Sequence, residues 1–117
     1  MIREQFNFLL DVCKLVLYAA SLGFVVTGGE LWRTAEQQAL YVKQGRSKTL
    51  NSNHLRRLAI DLNFFLNGVL CYDREKLRPL GEYWESLHPK NRWGGNFDRD
   101  WARKDTFKDL PHFERNV

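Results

Sequence analysis

Cysteine and proline are scarce in this chain, whose 117 residues include two cysteines and three prolines. Two cysteines are too few for a disulfide framework, so the fold must be held together by a buried core. Cys13 lies in an apolar helical run and Cys71 in a strand-like one, which predicts that both are buried as small hydrophobic residues. Free thiols of this kind also indicate synthesis in a reducing compartment.

Little in the sequence indicates a segment that inserts into a membrane or directs secretion. No run is long and apolar enough to span a bilayer, so we expect no stable membrane insertion. Glu4, Asp11 and Lys14 interrupt the apolar stretch near the N-terminus, and no clean cleavage site of small residues follows it. We therefore expect no signal peptide and synthesis in the cytoplasm.

Charge of one sign is not concentrated in any part of the chain. Charged residues make up 27% and hydrophobic residues 44% of the sequence, as in ordinary globular proteins, and the length suits one domain. The net charge of +4 favours anionic partners in general, such as nucleic acid or cell wall, without selecting one. Apart from Arg56 and Arg57 the basic residues are scattered, and no basic face is interleaved with aromatics. We therefore expect no nucleic-acid binding.

Hydrophobic periodicity and turn signals predict three helices and four short strands. The helices are expected at 3–22, 34–44 and 79–87, and the strands at 24–27, 58–65, 69–72 and 110–114. The segment 45–53 is expected to be a loop and 88–108 to be irregular. This order of elements predicts a small α+β fold with the last strand at an edge of the sheet.

Three local signals refine these elements. The first helix is expected to bury the face formed by Phe6, Leu9, Leu10, Cys13, Val16, Leu17 and Ala20. Thr34 and Gln37 have the spacing of a capping box at the start of the second helix. The pair Asn67-Gly68 is a strong signal for a hairpin between the two middle strands.

Three histidines are available as metal ligands or catalytic bases. His54 lies in a loop, seven residues before Asp61, and Asp61 lies within the predicted strand 58–65. Its side chain is expected on the opposite face of that strand from the apolar residues, where a carboxylate could meet a metal. The alternative is a buried carboxylate with a structural role. We expect His88, which precedes Pro89 in a polar stretch, at the surface.

An acid and a histidine lie three residues apart near the end of the chain, at Asp109 and His112. Catalytic zinc commonly takes three protein ligands and leaves its fourth position to water. His54, Asp61 and His112 would supply three ligands for one zinc ion per chain. Asp109 would then be free to accept a proton from the water. The combination predicts a metallohydrolase.

Four segments extend this interpretation to a known family. Residues 52–62 read SNHLRRLAIDL, residues 29–38 read GELWRTAEQQ, residues 93–97 read WGGNF and residues 109–114 read DLPHFE. In this order they resemble the motifs of the VanY-like D-alanyl-D-alanine carboxypeptidases, including the signature S-x-H-x-x-G-x-A-x-D. Relatives of that family include the L-alanyl-D-glutamate endopeptidases that phages use as endolysins. One position departs from the signature, because Arg57 stands where the family usually has glycine.

The resemblance implies a hedgehog/D-Ala-D-Ala-peptidase-like fold, an antiparallel sheet with flanking helices. It implies one zinc peptidase domain over 1–117, without a separate wall-binding domain. The ligands would be those named above, with Asp109 as general base and later proton donor. Arg33 would stabilise the oxyanion or hold a substrate carboxylate, since a guanidinium offers a fixed fork of donors. The alternative for Arg33 is a surface residue at a helix start.

Other residues near these motifs have two interpretations each. Ser52 either hydrogen-bonds within the site or shapes the loop, and Gln38 either packs a helix or supports the site. Two interpretations also apply to Trp93, Gly94, Gly95 and Phe97, which either form a wall of the substrate groove or pack on the core. Glu114 either orients a ligand or forms a structural ion pair.

The expected function is zinc-dependent hydrolysis of the murein stem peptide, at the L-alanyl-D-glutamate bond, by a monomeric phage or prophage endolysin. Such a protein would be made in the host cytoplasm and reach the wall after the membrane is breached. The alternatives are a D-alanyl-D-alanine carboxypeptidase and a catalytically silent, zinc-stabilised wall-binding module. Asp98, Asp100 and Asp105 are interleaved with basic residues and lack the spacing of a calcium loop, so we expect activity without calcium.

Overall fold

The computed structural model describes residues 1–47, 49–96 and 109–117. Within these residues the chain forms three helices and five strands. In chain order they are α1 (Ile2–Ser21), β1 (Val25–Gly28), α2 (Ala35–Lys43), β2 (Ala59–Leu66), β3 (Val69–Leu70), α3 (Arg74–Leu87), β4 (Asn91–Trp93) and β5 (His112–Arg115). Two short 3-10 turns span Asn53–Arg56 and Gly94–Asn96. The predicted α+β class is confirmed.

The strands form an antiparallel sheet in the order β1–β2–β5–β4, and β3 pairs with the end of β2. The strand β2 is long enough to pair with β1 through one half and with β5 through the other. In the β2–β5 register Asp61 lies opposite His112. The sheet thus brings together two polar residues that are far apart in the sequence.

The core lies where α1 and α3 meet the sheet. Trp84 of α3 packs edge-on against Phe8 of α1 at 5.5 Å between ring centroids, and against Phe113 of β5 at 5.8 Å. Leu15 of α1 and Leu80 of α3 are completely buried beside them. Burial of these large apolar side chains supplies the main stabilisation of the fold.

Helix capping agrees with the prediction for α2 and corrects it for α3. The Thr34 hydroxyl accepts a hydrogen bond from the Gln37 N–H at 3.0 Å, as the capping spacing predicts. The prediction that the third helix begins at Pro79 is wrong, because α3 begins at Arg74. The Asp73 carboxylate accepts from the first free N–H groups of α3, so the helix starts ahead of the proline.

The sheet also differs from the prediction at its last strand. We expected β5 at an edge, but it lies between β2 and β4. The strand β4 was not predicted, since its three residues, Asn91–Trp93, are too few to show an alternating pattern. The returning strand of the hairpin is shorter than predicted and ends at Leu70.

The predicted buried face of α1 is wrong except at Val16, which is partly buried against the core. Phe6, Leu9, Leu10 and Leu17 are all exposed, and the buried residues are Phe8, Asp11, Val12, Leu15 and Ala19. The helix carries two apolar stripes, and the stripe that contains an aspartate is the one that faces the core. Asp11 can be buried there because it pairs with the Arg115 guanidinium and accepts a hydrogen bond from Asn91.

The cysteine prediction fails in part for the same reason. Cys13 is exposed, since it lies on the outward stripe of α1, while Cys71 is partly buried against the core.

In the described part of the chain, no helix is both long enough and apolar enough to cross a bilayer.

Candidate metal and active site

Three elements bring His54, Asp61 and His112 together. His54 lies in the turn 53–56, whose start is fixed by the Ser52 hydroxyl accepting from the His54 N–H at 3.2 Å. Asp61 and His112 lie opposite each other on β2 and β5. Their ligand atoms all lie within 4.8 Å of one another. The turn and the β2–β5 pairing therefore create a potential metal site.

The distances within this group suit a tetrahedral cation. His54 Nε2 lies 3.5 Å and His112 Nδ1 lies 3.6 Å from the same Asp61 Oδ1. Ligands bound to zinc at about 2.0–2.1 Å in a tetrahedron lie about 3.3 Å from one another. Both distances are close to this value, and all three ligand atoms lie within 4.8 Å of one another, so they could bind one ion.

The outer nitrogens of both imidazoles are occupied by other groups. His54 Nδ1 lies 3.0 Å from the Leu31 carbonyl, and His112 Nε2 lies 2.7 Å from Glu114 Oε1. These contacts leave His54 Nε2 and His112 Nδ1 facing the centre of the group. His54 Nε2 and Asp61 Oδ1 are both buried and have no hydrogen-bond partner among the described residues. Buried polar atoms are rarely left in this state, and a bound cation would satisfy both.

Charged neighbours within the site shift the pKa values of Asp61 and His112 in opposite directions. Burial alone would raise the pKa of Asp61, but the imidazoles of His112 and His54 outweigh it and hold that pKa well below its usual range. Burial alone would lower the pKa of His112, but Asp61 and Glu114 raise it to about 9. Asp61 is therefore ionised at neutral pH and available to a cation.

Asp109 lies beside the group without joining it. Its Oδ2 is 4.0 Å from His112 Nδ1, and its side chain keeps 43% of its surface exposed. Burial raises the pKa of Asp109, and the negative charge of Asp61 adds to the rise while His112 opposes it. A carboxylate with a raised pKa at this position is suited to exchange protons with a water at the centre of the group.

Gly94 allows Asp109 to lie close to the group of potential ligands, because it has no side chain. A Cβ atom at this position would collide with the Asp109 carbonyl and would touch the His112 Cβ. The Asp109 N–H donates to the Gly94 carbonyl at 3.0 Å, and the His112 N–H donates to the Asp109 carbonyl at 2.9 Å. This tight turn holds acid and histidine on the same side of the chain.

Arg33 is held on the other side of Asp61. Its Nε donates to Glu30, its Nη1 donates to Gln38 Oε1 at 2.6 Å, and its Nη2 lies 3.9 Å from Asp61 Oδ2. The guanidinium also lies over the Tyr41 ring, 4.6 Å from the centroid. The side chain is 10% exposed, so Arg33 is not a surface residue. One of its nitrogens faces the site while the others fix the orientation of the guanidinium.

A cavity of about 630 Å³ opens over these residues. Among the described residues its wall includes His54, Asp61, Asp109, His112, Arg33, Ser52 and Glu114, as well as Tyr41, Arg46 and Arg92. A volume of this size lies in the range of small-molecule and peptide subsites. The potential metal site is thus open to a ligand from the cavity.

A family model described as D-alanyl-D-alanine carboxypeptidase, of peptidase family M15, matches residues 45–115. The chain belongs to this family. It is therefore a hydrolase that cleaves peptide bonds, and it acts on peptidoglycan. The sequence prediction of a peptidase from the VanY-like family is confirmed.

The fold agrees with that membership. The structure of the M15 peptidase is similar to the crystal structure of the Serratia marcescens L-Ala D-Glu endopeptidase ChiX, with a TM-score of 0.66 and 24% sequence identity. The similarity covers 97% of this chain and 86% of that one, which confirms the predicted fold. Comparison with curated proteins gives no match.

The other predicted residues of the M15 peptidase fall into two groups. Ser52, Gln38 and Glu114 contact the site: Ser52 caps the turn of His54, Gln38 holds Arg33, and Glu114 holds His112. Trp93 does not contact the cavity. Its ring is fully buried and its Nε1 donates to the Leu110 carbonyl at 2.8 Å, which agrees with the alternative of core packing.

Some sequence predictions lie elsewhere. His88, at the end of α3, is only partly buried, accepts a hydrogen bond from the Lys90 N–H and takes no part in the group of potential ligands. Phe97 and the acids Asp98, Asp100 and Asp105 lie outside the described residues.

Sequence reasoning missed several residues that support the site. Glu30 and Tyr41 position Arg33, and Tyr41 also donates its hydroxyl to Glu30 at 3.1 Å. Asn53 donates to Glu114 at 3.1 Å, and Arg92 Nε lies 3.2 Å from the same carboxylate. None of these residues has a distinctive spacing in the sequence, and Arg92 reaches Glu114 through the β4–β5 register.

Proposed function

We propose that the protein is a zinc-dependent endopeptidase that cleaves the L-alanyl-D-glutamate bond of the murein stem, with zinc on His54, Asp61 and His112. The observation that carries the proposal is the convergence of three ligand atoms, two of which are buried and find no hydrogen-bond partner in the described part of the chain. Zinc is the usual metal of M15 peptidases, and two imidazoles with one carboxylate are a common catalytic donor set for it. An ion bound there would acidify a bound water to about pKa 7 and polarise the scissile carbonyl.

Asp109 takes the proton of the attacking water and later delivers it to the leaving amine. Its carboxylate lies 4.0 Å from a proposed ligand nitrogen, so it is near the reacting atoms while remaining outside the group of ligands. The raised pKa of Asp109 brings its basicity closer to that needed at neutral pH. General-base assistance of this kind contributes roughly 10²–10⁴-fold to the rate.

Arg33 stabilises the oxyanion that forms on the scissile carbonyl. Its Nη2 lies 3.9 Å from Asp61 Oδ2, which is the side of the guanidinium left free by Glu30 and Gln38. A donor fixed in advance costs no reorganisation when negative charge develops. Glu114 acts through His112, because it fixes the tautomer and the ring orientation of that imidazole.

The choice of bond is supported by the similarity to an L-Ala D-Glu endopeptidase over nearly the whole chain. The family description favours a second candidate, D-alanyl-D-alanine carboxypeptidase activity. The monomeric state, the phage or prophage setting and the cytoplasmic synthesis stay predictions from the sequence.

Digestion of purified peptidoglycan separates the two candidates. The zinc-loaded protein is incubated with cell walls, and the released ends are identified by mass spectrometry. New N-terminal D-glutamate and C-terminal L-alanine are expected. Release of free D-alanine would instead identify a carboxypeptidase. No cleavage by the zinc-loaded protein, under conditions in which a known murein peptidase cleaves, would contradict both.

A further inference from the structure

The cavity contains more positive charge than the proposed chemistry uses. Among the described residues, Arg33, Arg46 and Arg92 line it. Arg33 is bound to Glu30, and Arg92 lies beside Glu114. Arg46 is exposed and has no carboxylate partner within the described ranges. An exposed guanidinium on the wall of a substrate cavity is available to an anionic group of a ligand.

Arg46 has a defined place on that wall. Its guanidinium lies over the Tyr41 ring, 4.4 Å from the centroid, and the same ring carries Arg33 at 4.6 Å. The Arg46 N–H donates to the Tyr41 carbonyl at 2.8 Å, after the chain turns back at Gly45, whose φ is +75°. Tyr41 is therefore a shared platform for both arginines. This cation–π contact helps to hold the Arg46 guanidinium in place, while its nitrogens donate no hydrogen bond to the described residues.

Both candidate substrates have an anion next to the scissile bond. In the murein stem D-glutamate is linked onward through its γ-carboxyl group, so its α-carboxyl group lies outside that linkage and is a carboxylate wherever it is not amidated. In a stem that ends in D-alanyl-D-alanine, the last residue also has a free α-carboxylate. In each case the carboxyl carbon lies about 2.5 Å from the scissile nitrogen. A scissile bond placed at His54, Asp61 and His112 therefore puts this carboxylate inside the same cavity.

We propose that Arg46 recognises the free α-carboxylate of the D-residue on the leaving side of the scissile bond. The inference rests on the proposed function and adds a specificity-determining residue to it. Arg33 is fixed beside Asp61 and serves the carbonyl side of the bond. Arg46, on the same tyrosine platform, serves the amine side. A guanidinium can bind a carboxylate through two parallel hydrogen bonds, and a neutral carboxamide cannot replace that interaction.

The test compares acid and amide forms of otherwise identical peptides. One pair contains L-Ala-D-Glu with a free α-carboxylate or with the α-carboxamide. A second pair ends in D-Ala-D-Ala as the free acid or as the C-terminal amide. The wild-type protein is expected to prefer the acid in the pair that it cleaves, by about tenfold in kcat/KM. Arg46→Gln should reduce this preference to nearly one, mainly through KM, and Arg46→Lys should restore part of it.

Lys43→Gln is the matched control. It removes one positive charge from the exposed end of α2, three residues from Arg46, and Lys43 does not line the cavity. This variant should keep the wild-type preference. Melting temperatures check the folding of all variants, and Arg46→Gln should differ little from the wild type because Arg46 is exposed.

The outcomes separate the inference from the proposed function. Cleavage with the same acid preference in Arg46→Gln as in the wild type would overturn the role of Arg46 and leave the peptidase assignment intact. Wild-type cleavage without any preference for the acid form would also overturn the role of Arg46 and leave the peptidase assignment intact. Cleavage of neither pair would contradict the proposed function and the inference together. The pair that is cleaved identifies whether the carboxylate belongs to D-glutamate or to D-alanine.

Discussion

Arg57 ends the turn 53–56 in a backbone conformation that L-residues rarely adopt, with φ 57° and ψ 36°. Its N–H donates to the His54 carbonyl, and the next residue, Leu58, already donates to Asn53. The turn thus needs a residue in the left-handed conformation between the proposed ligand His54 and β2, which explains a glycine at this position of the signature. In this chain the Arg57 guanidinium lies over the Trp32 ring at 5.0 Å from the centroid, which offsets part of the strain.

Comparison of glycine and alanine at position 57 isolates the backbone strain. Arg57→Gly and Arg57→Ala both lose the contact with Trp32, but only glycine relieves the left-handed conformation. We expect the glycine variant to be more stable than the alanine variant by about 1 kcal/mol. This corresponds to about 4 °C in melting temperature for a chain of this size. Equal stabilities of the two variants would show that position 57 is not left-handed in solution.

Asp109 provides the test of catalysis apart from metal binding. Asp109→Asn keeps the shape of the side chain but cannot accept a proton at neutral pH. We expect this variant to fold and to keep its zinc, while cleaving at least about a hundredfold more slowly. Zinc content by elemental analysis and turnover on peptidoglycan are measured on the same preparation. Loss of zinc together with activity would make Asp109 a ligand, whereas full activity would assign the base elsewhere.

At the scale of elements, α1 shows why burial was harder to predict than helicity. The helix spans Ile2–Ser21, close to the prediction, but the face that it buries contains Asp11 and excludes Leu9 and Leu17. Hydrophobicity alone favours the stripe without a charge. The deciding contact is with Arg115, which lies 104 positions later in the sequence. A single sequence gives no sign of such a partner.

The buried pair between α1 and β5 is therefore a strong test of the helix orientation. Arg115 is 2% exposed and Asp11 is 10% exposed, so removal of Asp11 leaves the buried guanidinium with only the more exposed Glu4 carboxylate as a counter-charge. We expect Asp11→Ala to lower the free energy of unfolding by about 3 kcal/mol, as measured by denaturant titration.

Glu4→Ala is the control on the same helix. Glu4 also contacts Arg115, at 3.1 Å, but its side chain is 33% exposed. Its removal should cost about 1 kcal/mol or less. An equal effect of the two substitutions would mean that α1 does not bury the Asp11 stripe.

The proposed site was more accessible to sequence reasoning than the sheet that carries it. The proposed site consists of histidines and aspartates, which commonly act as metal ligands and catalytic bases. Short spacings in the sequence relate them in two pairs, His54 with Asp61 and Asp109 with His112. The β2–β5 register that unites the pairs depends on pairing between distant segments. The supports Glu30, Tyr41 and Asn53 have no distinctive spacing, and only the folded chain brings them to the site.

At the scale of the whole molecule, a zinc ion would join three parts of the structure. His54 belongs to a turn, Asp61 to β2 and His112 to β5, and the last two are 51 positions apart in the sequence. The apolar core around Trp84 and Phe113 is made by α1, α3 and β5 and does not depend on the ion. The metal-free protein should therefore remain folded but be less stable than the loaded one.

Removal of zinc should accordingly lower the melting temperature without abolishing cooperative unfolding. At free zinc about a hundredfold above its dissociation constant, binding to the folded state contributes about 2.7 kcal/mol. For a chain of this length that corresponds to roughly 10 °C. His54→Ala should show neither the bound zinc nor the zinc-dependent shift, because it removes one of three ligands. His88→Ala is the matched control, since His88 lies outside the group, and it should keep both. Calorimetry with and without chelator, together with elemental analysis, measures the two quantities. A His54→Ala variant that keeps one zinc per chain would show that His54 is not a ligand. A wild-type melting temperature that chelation leaves unchanged would show that the site binds no zinc.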